Sequence, residues 1–111
     1  MKRGEVWMTD LGPVQGAEQA GRRPAIVFQD SITIPTTRTV IVIPITTNSK
    51  LAASPICYPL HRGEGGLSHD SVALCFHIRA TDKKRLLHRI GALSPQILAD
   101  VQLCVSKTLG M

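Results

Sequence analysis

At 111 residues the chain has room for one hydrophobic core and not for two, and 43% hydrophobic against 19% charged residues excludes disorder as its main state. Thirteen Lys and Arg against eight Asp and Glu give a net charge of +5, which favours a polyanionic partner. The imbalance is local, because no acidic residue falls between Asp30 and Glu64 while Arg38, Lys50 and Arg62 do. Three cysteines without C-x-x-C spacing, Cys57, Cys75 and Cys104, indicate neither a disulfide framework nor a zinc knuckle, and read as buried thiols of a reducing cytosol. With no apolar leader and no bilayer-length apolar run, the expectation is a cytoplasmic protein that holds no metal and enters no membrane.

In chain order, residues 5–10 alternate as a half-buried strand, with Val6 and Met8 on one side and Trp7 and Thr9 on the other. A Gly- and Pro-bearing connection of about a dozen residues follows, a length that compact domains keep for functional or disordered loops. Its second half is Glu18-Gln19-Ala20-Gly21-Arg22-Arg23-Pro24, which leads into an apolar strand over 24–29. Guanidinium forks match phosphate oxygens and Gly21 admits close backbone approach, so the loop can hold a phosphate; a solvated turn is the alternative.

Residues 30–38 are polar and Pro-interrupted, a second exposed loop. Residues 39–45, Thr-Val-Ile-Val-Ile-Pro-Ile, give the strongest strand signal, buried on both faces, with Pro44 predicting a bulge or a sheet edge before Thr46, Thr47, Asn48 and Ser49. A weaker strand over 55–60 and a turn over 62–66 come next. Residues 71–79 alternate as one strand, so that His77 and Arg79 project together from its end. Asp82 caps a short helical turn through Leu87, a last short strand covers 89–93, and Ser94-Pro95 opens an amphipathic helix striped by Ile97, Val101, Cys104 and Val105. The expected fold is mainly β with short helices, a small, mostly antiparallel barrel or sandwich with one closing C-terminal helix, in a single domain over 1–111.

Five segments together resemble the MazF/PemK toxins of bacterial toxin–antitoxin pairs: Lys2-Arg3-Gly4-Glu5-Val6-Trp7, Leu11-Gly12-Pro13, residues 16–24, the strand ending Ile45-Thr46, and residues 70–86. The resemblance implies an SH3-like barrel, a homodimer, and a metal-independent endoribonuclease without cofactor. Such an enzyme cuts single-stranded mRNA at short motifs and is neutralised by an antitoxin carrying a disordered acidic segment. It carries the principal catalytic roles onto Arg23 and Thr46. The family glutamine before the Ile-Arg pair is His77 here.

In that chemistry a ribose 2′-OH attacks its phosphate, giving a 2′,3′-cyclic phosphate and a 5′-OH. Arg23 suits the clamp on the growing phosphoryl charge, and Thr46 can donate a hydrogen bond to it. Arginine stays protonated, so Glu18 or His77 is the candidate base or acid. Glu18 has an equal alternative as an ion pair that orders Arg23, and His77 as a satisfied half-buried imidazole. Gln19, Arg22, Thr47, Asn48 and Arg79 are expected RNA contacts, Arg22 with even odds of being a solvated charge. Trp7 and Phe28 are assigned to packing in preference to base stacking. A gyrase poison resembling the CcdB branch and a non-catalytic RNA- or antitoxin-binding module are the competing functions.

Overall fold

Strand formation follows the β-branched and alternating runs. In the computed structural model, which describes residues 1–13 and 21–111, the strands are β1 (Glu5–Asp10), β2 (Arg22–Val27), β3 (Thr39–Thr46), β4 (Tyr58–Leu60), β5 (Ser71–Ala73), β6 (Arg79–Asp82) and β7 (Leu86–Ala92). One helix, α1 (Pro95–Leu109), follows. The sheet runs β4-β5-β3-β2-β1-β7, all pairings antiparallel, with β6 added on β3. Its path therefore curls from β6 through β3, β2 and β1 to β7, and the 3₁₀ turn Lys83–Arg85 joins the two ends. No β6–β7 pairing closes the barrel among the described residues.

The two faces of β2 and β3 enter different cores. Ile26, Ile43 and Ile45 pack with Val6, Leu60 and the Val101, Cys104 and Val105 face of α1. Ala25, Val27, Val40 and Val42 pack with Ile34, Leu86 and Trp7 on the other side. Ser94 caps α1 by accepting the Ile97 N–H at 3.3 Å, and Pro95 occupies the first turn, as the sequence predicts. The three cysteines are free and buried. No helix among the described residues is long and apolar enough to cross a membrane.

Several expectations change. β2 begins two residues early, at Arg22, and ends at Val27 because the Phe28 and Gln29 N–H groups converge on one carbonyl, that of Ile41. β3 is buried on both faces through its second half, but Thr39 and Ile41 are exposed. Pro44 marks neither an edge nor a bulge against β2, since the register runs unbroken through Val42–Val27, Ile43–Ile26 and Pro44–Ala25. Its carbonyl, facing the opposite edge, accepts from Leu74 N–H where the neighbour of β3 changes from β6 to β5. The missing proline N–H thus falls at that junction, outside a regular ladder.

The largest correction concerns residues 71–79. They form β5, a 3₁₀ turn over Cys75–His77, and only then β6. Ser71, Val72, Ala73, Leu74 and Cys75 are all buried, so alternation along this run carries no information about facing. The last strand, conversely, is longer than expected and starts at Leu86.

Candidate active site

Arg23 and Thr46 are brought together by strand register. Carried two residues past Ala25–Pro44, the β2–β3 register sets Arg23 opposite Thr46, with both side chains on the face shared by Ala25, Val42 and Pro44. On its other flank Arg23 pairs with Thr9, which is fully buried and donates its hydroxyl to the Trp7 carbonyl at 3.0 Å. Arg23 itself is half-buried and Thr46 is 6% exposed. Thr46 Oγ1 accepts the Asn48 N–H at 3.2 Å. A hydroxyl has one donor, and this bond leaves it unused while fixing the oxygen, so Thr46 is oriented to donate.

The connection into Arg23 is tied at its base. Leu11 N–H donates to the Gly21 carbonyl at 2.9 Å and Gly21 N–H to the Gly12 carbonyl at 2.8 Å. Gly21 has φ +75°, a conformation that side chains strain to adopt, so the turn into Arg22 and Arg23 rests on this glycine. Glu18 and Gln19 lie outside the described residues.

The other expected contacts divide. Arg22 is exposed, partners Asp10, and points to the opposite sheet face from Arg23. Thr47 likewise faces away from Thr46 and lines a cleft of about 350 Å³ with Met8, Pro24, His69 and Ser71. Asn48 spends its side-chain oxygen on the Lys50 N–H, capping the 3₁₀ turn Ser49–Leu51. His77 ends the turn that spans the stretch of β3 around Pro44, with its N–H on the Leu74 carbonyl at 2.9 Å and its ring edge-on to Phe76 at 4.1 Å. Its projection with Arg79 from one strand end is therefore not found, because the turn separates them.

Arg79 partners Val42 and so shares the face of Arg23 and Thr46, four residues of β3 or about 13 Å along the strand. It lines a second cavity, of about 280 Å³, formed by residues 11–13, 79–82 and Arg85. Sequence reasoning missed Arg85 and Thr81 there. The available signal is the Lys83-Lys84-Arg85 run that follows the capping Asp82.

Trp7 and Phe28 pack as expected. Trp7 lies half-buried against the Val42 side of the sheet and Phe28 against the α1 side, under the Arg3 guanidinium at 4.7 Å. At the far end of β1 from Thr9, the Glu5 carboxylate accepts from Trp7 Nε1 at 3.1 Å, Lys2 N–H at 2.8 Å and Arg89 Nε at 3.0 Å. Burial pushes its pKa up, but these three donors and the N-terminal charge outweigh burial and hold it below the ordinary carboxylate value.

Residues 2–109 match the family model described as PemK-like, MazF-like toxin of type II toxin-antitoxin system. The chain is 36% identical over its full length to a protein named Endoribonuclease MazF from Staphylococcus saprophyticus, covering 92% of that relative. Among solved structures, MazF from Deinococcus radiodurans superposes with a TM-score of 0.85 at 27% identity, covering all of this chain and 97% of that one. A MazE-MazF structure from the same organism gives 0.77 at 26% identity, covering all of this chain and 96% of that one.

Proposed function

The chain belongs to the PemK-like, MazF-like toxins of type II toxin–antitoxin systems, and from that premise we propose that it is an endoribonuclease toxin held in check by an antitoxin. Its substrate is single-stranded mRNA, cut without a metal to a 2′,3′-cyclic phosphate and a 5′-OH. The observation that carries this reading is the register that sets Arg23 opposite Thr46 on one sheet face. Arg23 clamps the phosphate oxygens as charge grows on them, and Thr46, its oxygen fixed by Asn48 N–H, donates a further hydrogen bond.

Glu18 or His77 moves the proton of the 2′-OH or of the leaving oxygen. Gln19, Asn48 and Arg79 hold the RNA near that centre, and Arg22 and Thr47, which face the other side of the sheet, hold it where the strand leaves the site. The toxin works in the cytoplasm as a homodimer, and the acidic segment of its antitoxin covers the same basic groove. The relatives' shared name favours RNA cleavage over gyrase poisoning and over passive binding.

The test is incubation of purified protein with mixed-sequence RNA in EDTA, followed by mapping of the ends. Cyclic-phosphate ends whose rate of formation falls about 10³-fold in Arg23→Ala are the expected result. Intact RNA, or equal cleavage by Arg23→Ala, overturns the assignment.

A further inference from the structure

The cavity beside Leu11 has a polar inventory that the catalytic pair does not use. Arg79 and Arg85 line it, and among the described residues neither forms an ion pair; Arg85 has only a 3.5 Å contact from Nη1 to the Asp10 carbonyl. Thr81, on the same wall, is 3% exposed, and among the described residues its hydroxyl has no hydrogen-bond partner. A buried hydroxyl left without a partner is costly, which points to an acceptor that arrives with a ligand. The wall opposite is the Gly12 backbone, at φ +79°, where a Cβ would stand 2.8 Å from Arg85 Nη1. Side chains are thus kept out of the space in front of the guanidinium.

We propose that this cavity is a second phosphate-binding site, taking an internal phosphodiester further along the RNA strand from the one cleaved; this rests on the RNA-cleaving reading above. A phosphodiester offers only acceptor oxygens, and the wall supplies two guanidiniums and a hydroxyl donor. Asp82 also lines the space, but one of its oxygens accepts the Lys84 N–H at 2.9 Å. Two arginines against one aspartate leave a single positive charge, which suits the monoanionic diester better than a dianionic terminal phosphate. Leu11 joins the two sites, since its N–H holds Gly21 just ahead of Arg23 while its other side forms the cavity. A strand bound at both sites is fixed in direction across the cleavage centre.

The test measures binding of a short mixed-sequence 2′-O-methyl oligoribonucleotide, which keeps the phosphates but cannot be cut, alongside cleavage of unmodified RNA. The double variant Arg79→Gln, Arg85→Gln should weaken the Kd about ten-fold and make the log–log salt slope shallower by about 0.7 for the lost phosphate. Thr81→Val should weaken binding while raising the Tm by about 4 °C, because it removes the orphaned hydroxyl; a purely structural threonine would not move the two in opposite senses. If loss of the Arg85 contact to Asp10 prevents folding, Arg79→Gln and Thr81→Val carry the test. Unchanged Kd and salt slope overturn the site even where cleavage proceeds. Variant-sensitive binding without cleavage by the wild type upholds the site and removes the nuclease reading instead.

Discussion

The two arginine-bearing regions on either side of Leu11 are held in opposite ways. Arg23 and Thr46 stand on long, regularly paired strands, and the Thr46 hydroxyl already has its acceptor role filled. Arg79, Thr81 and Arg85 stand on a short strand and a 3₁₀ turn at the open seam of the barrel, with a buried hydroxyl that has no partner among the described residues. Regular pairing suits groups whose geometry must be fixed before the substrate arrives, since preorganised donors stabilise a transition state at little reorganisation cost. A seam with an unfilled donor suits affinity, because its polar group gains a partner only when the strand is bound.

Changes on the paired side should therefore act on rate. After the arginine, the sharpest is Thr46→Val, which keeps the shape and removes both hydroxyl roles. Single-turnover cleavage should drop about 10²-fold. Stability should fall by about 1 kcal/mol or less, because Asn48 is exposed and its N–H can turn to water. Equal losses in KM and rate would blur the contrast between the regions.

On the seam side, Gly12→Ala places a side chain at a positive φ and displaces the flexible end of Arg85. Strain of about 1 kcal/mol should appear in denaturant unfolding, with a several-fold higher KM. A lower kcat at unchanged KM would place the seam with the rate-determining groups.

The smallest effect lies at the far end of β1. Glu5 has a folded pKa below its unfolded value, so its stabilisation is complete above about pH 4.5 and is lost as pH falls through the depressed value. Glu5→Gln should flatten the stability–pH curve in that acidic window by at most about 1 kcal/mol, Arg89 being half-exposed, and leave cleavage untouched. A change in cleavage would show that β1 couples its two ends.

How much of this was legible in sequence depended on what each residue packs against. β1 and β3 declared themselves through alternation and β-branching, and α1 through Ser94-Pro95 and its apolar stripe. Arg23 and Thr46 enter as candidates through the resemblance to MazF/PemK toxins, each within a short motif, and the strand register sets them opposite one another. The stretch from Ser71 to Arg79 was not, because Ala73 and Cys75 on one supposed face are as buried as Val72 and Leu74 on the other. Pro44 misled for a related reason: proline harms a ladder only where an N–H is required, and a change of neighbour at β3 removes the requirement. Thr81 gave no signal, since an unsatisfied hydroxyl is a property of its surroundings alone.

The buried thiols give the molecule an internal clock. Burial pushes the Cys57 and Cys75 thiols up, so neither offers thiolate to a reagent while the core stays closed. Cys75 sits in the turn ahead of His77, and Cys104 faces it from α1 within the same core. The rate at which a thiol-reactive dye labels Cys75, read site by site because Cys57 and Cys104 line a cleft beside α1, thus counts the openings of the core around it. Slower labelling on adding RNA or antitoxin would report, without any introduced probe, that the ligand steadies the whole fold and not only the surface it touches.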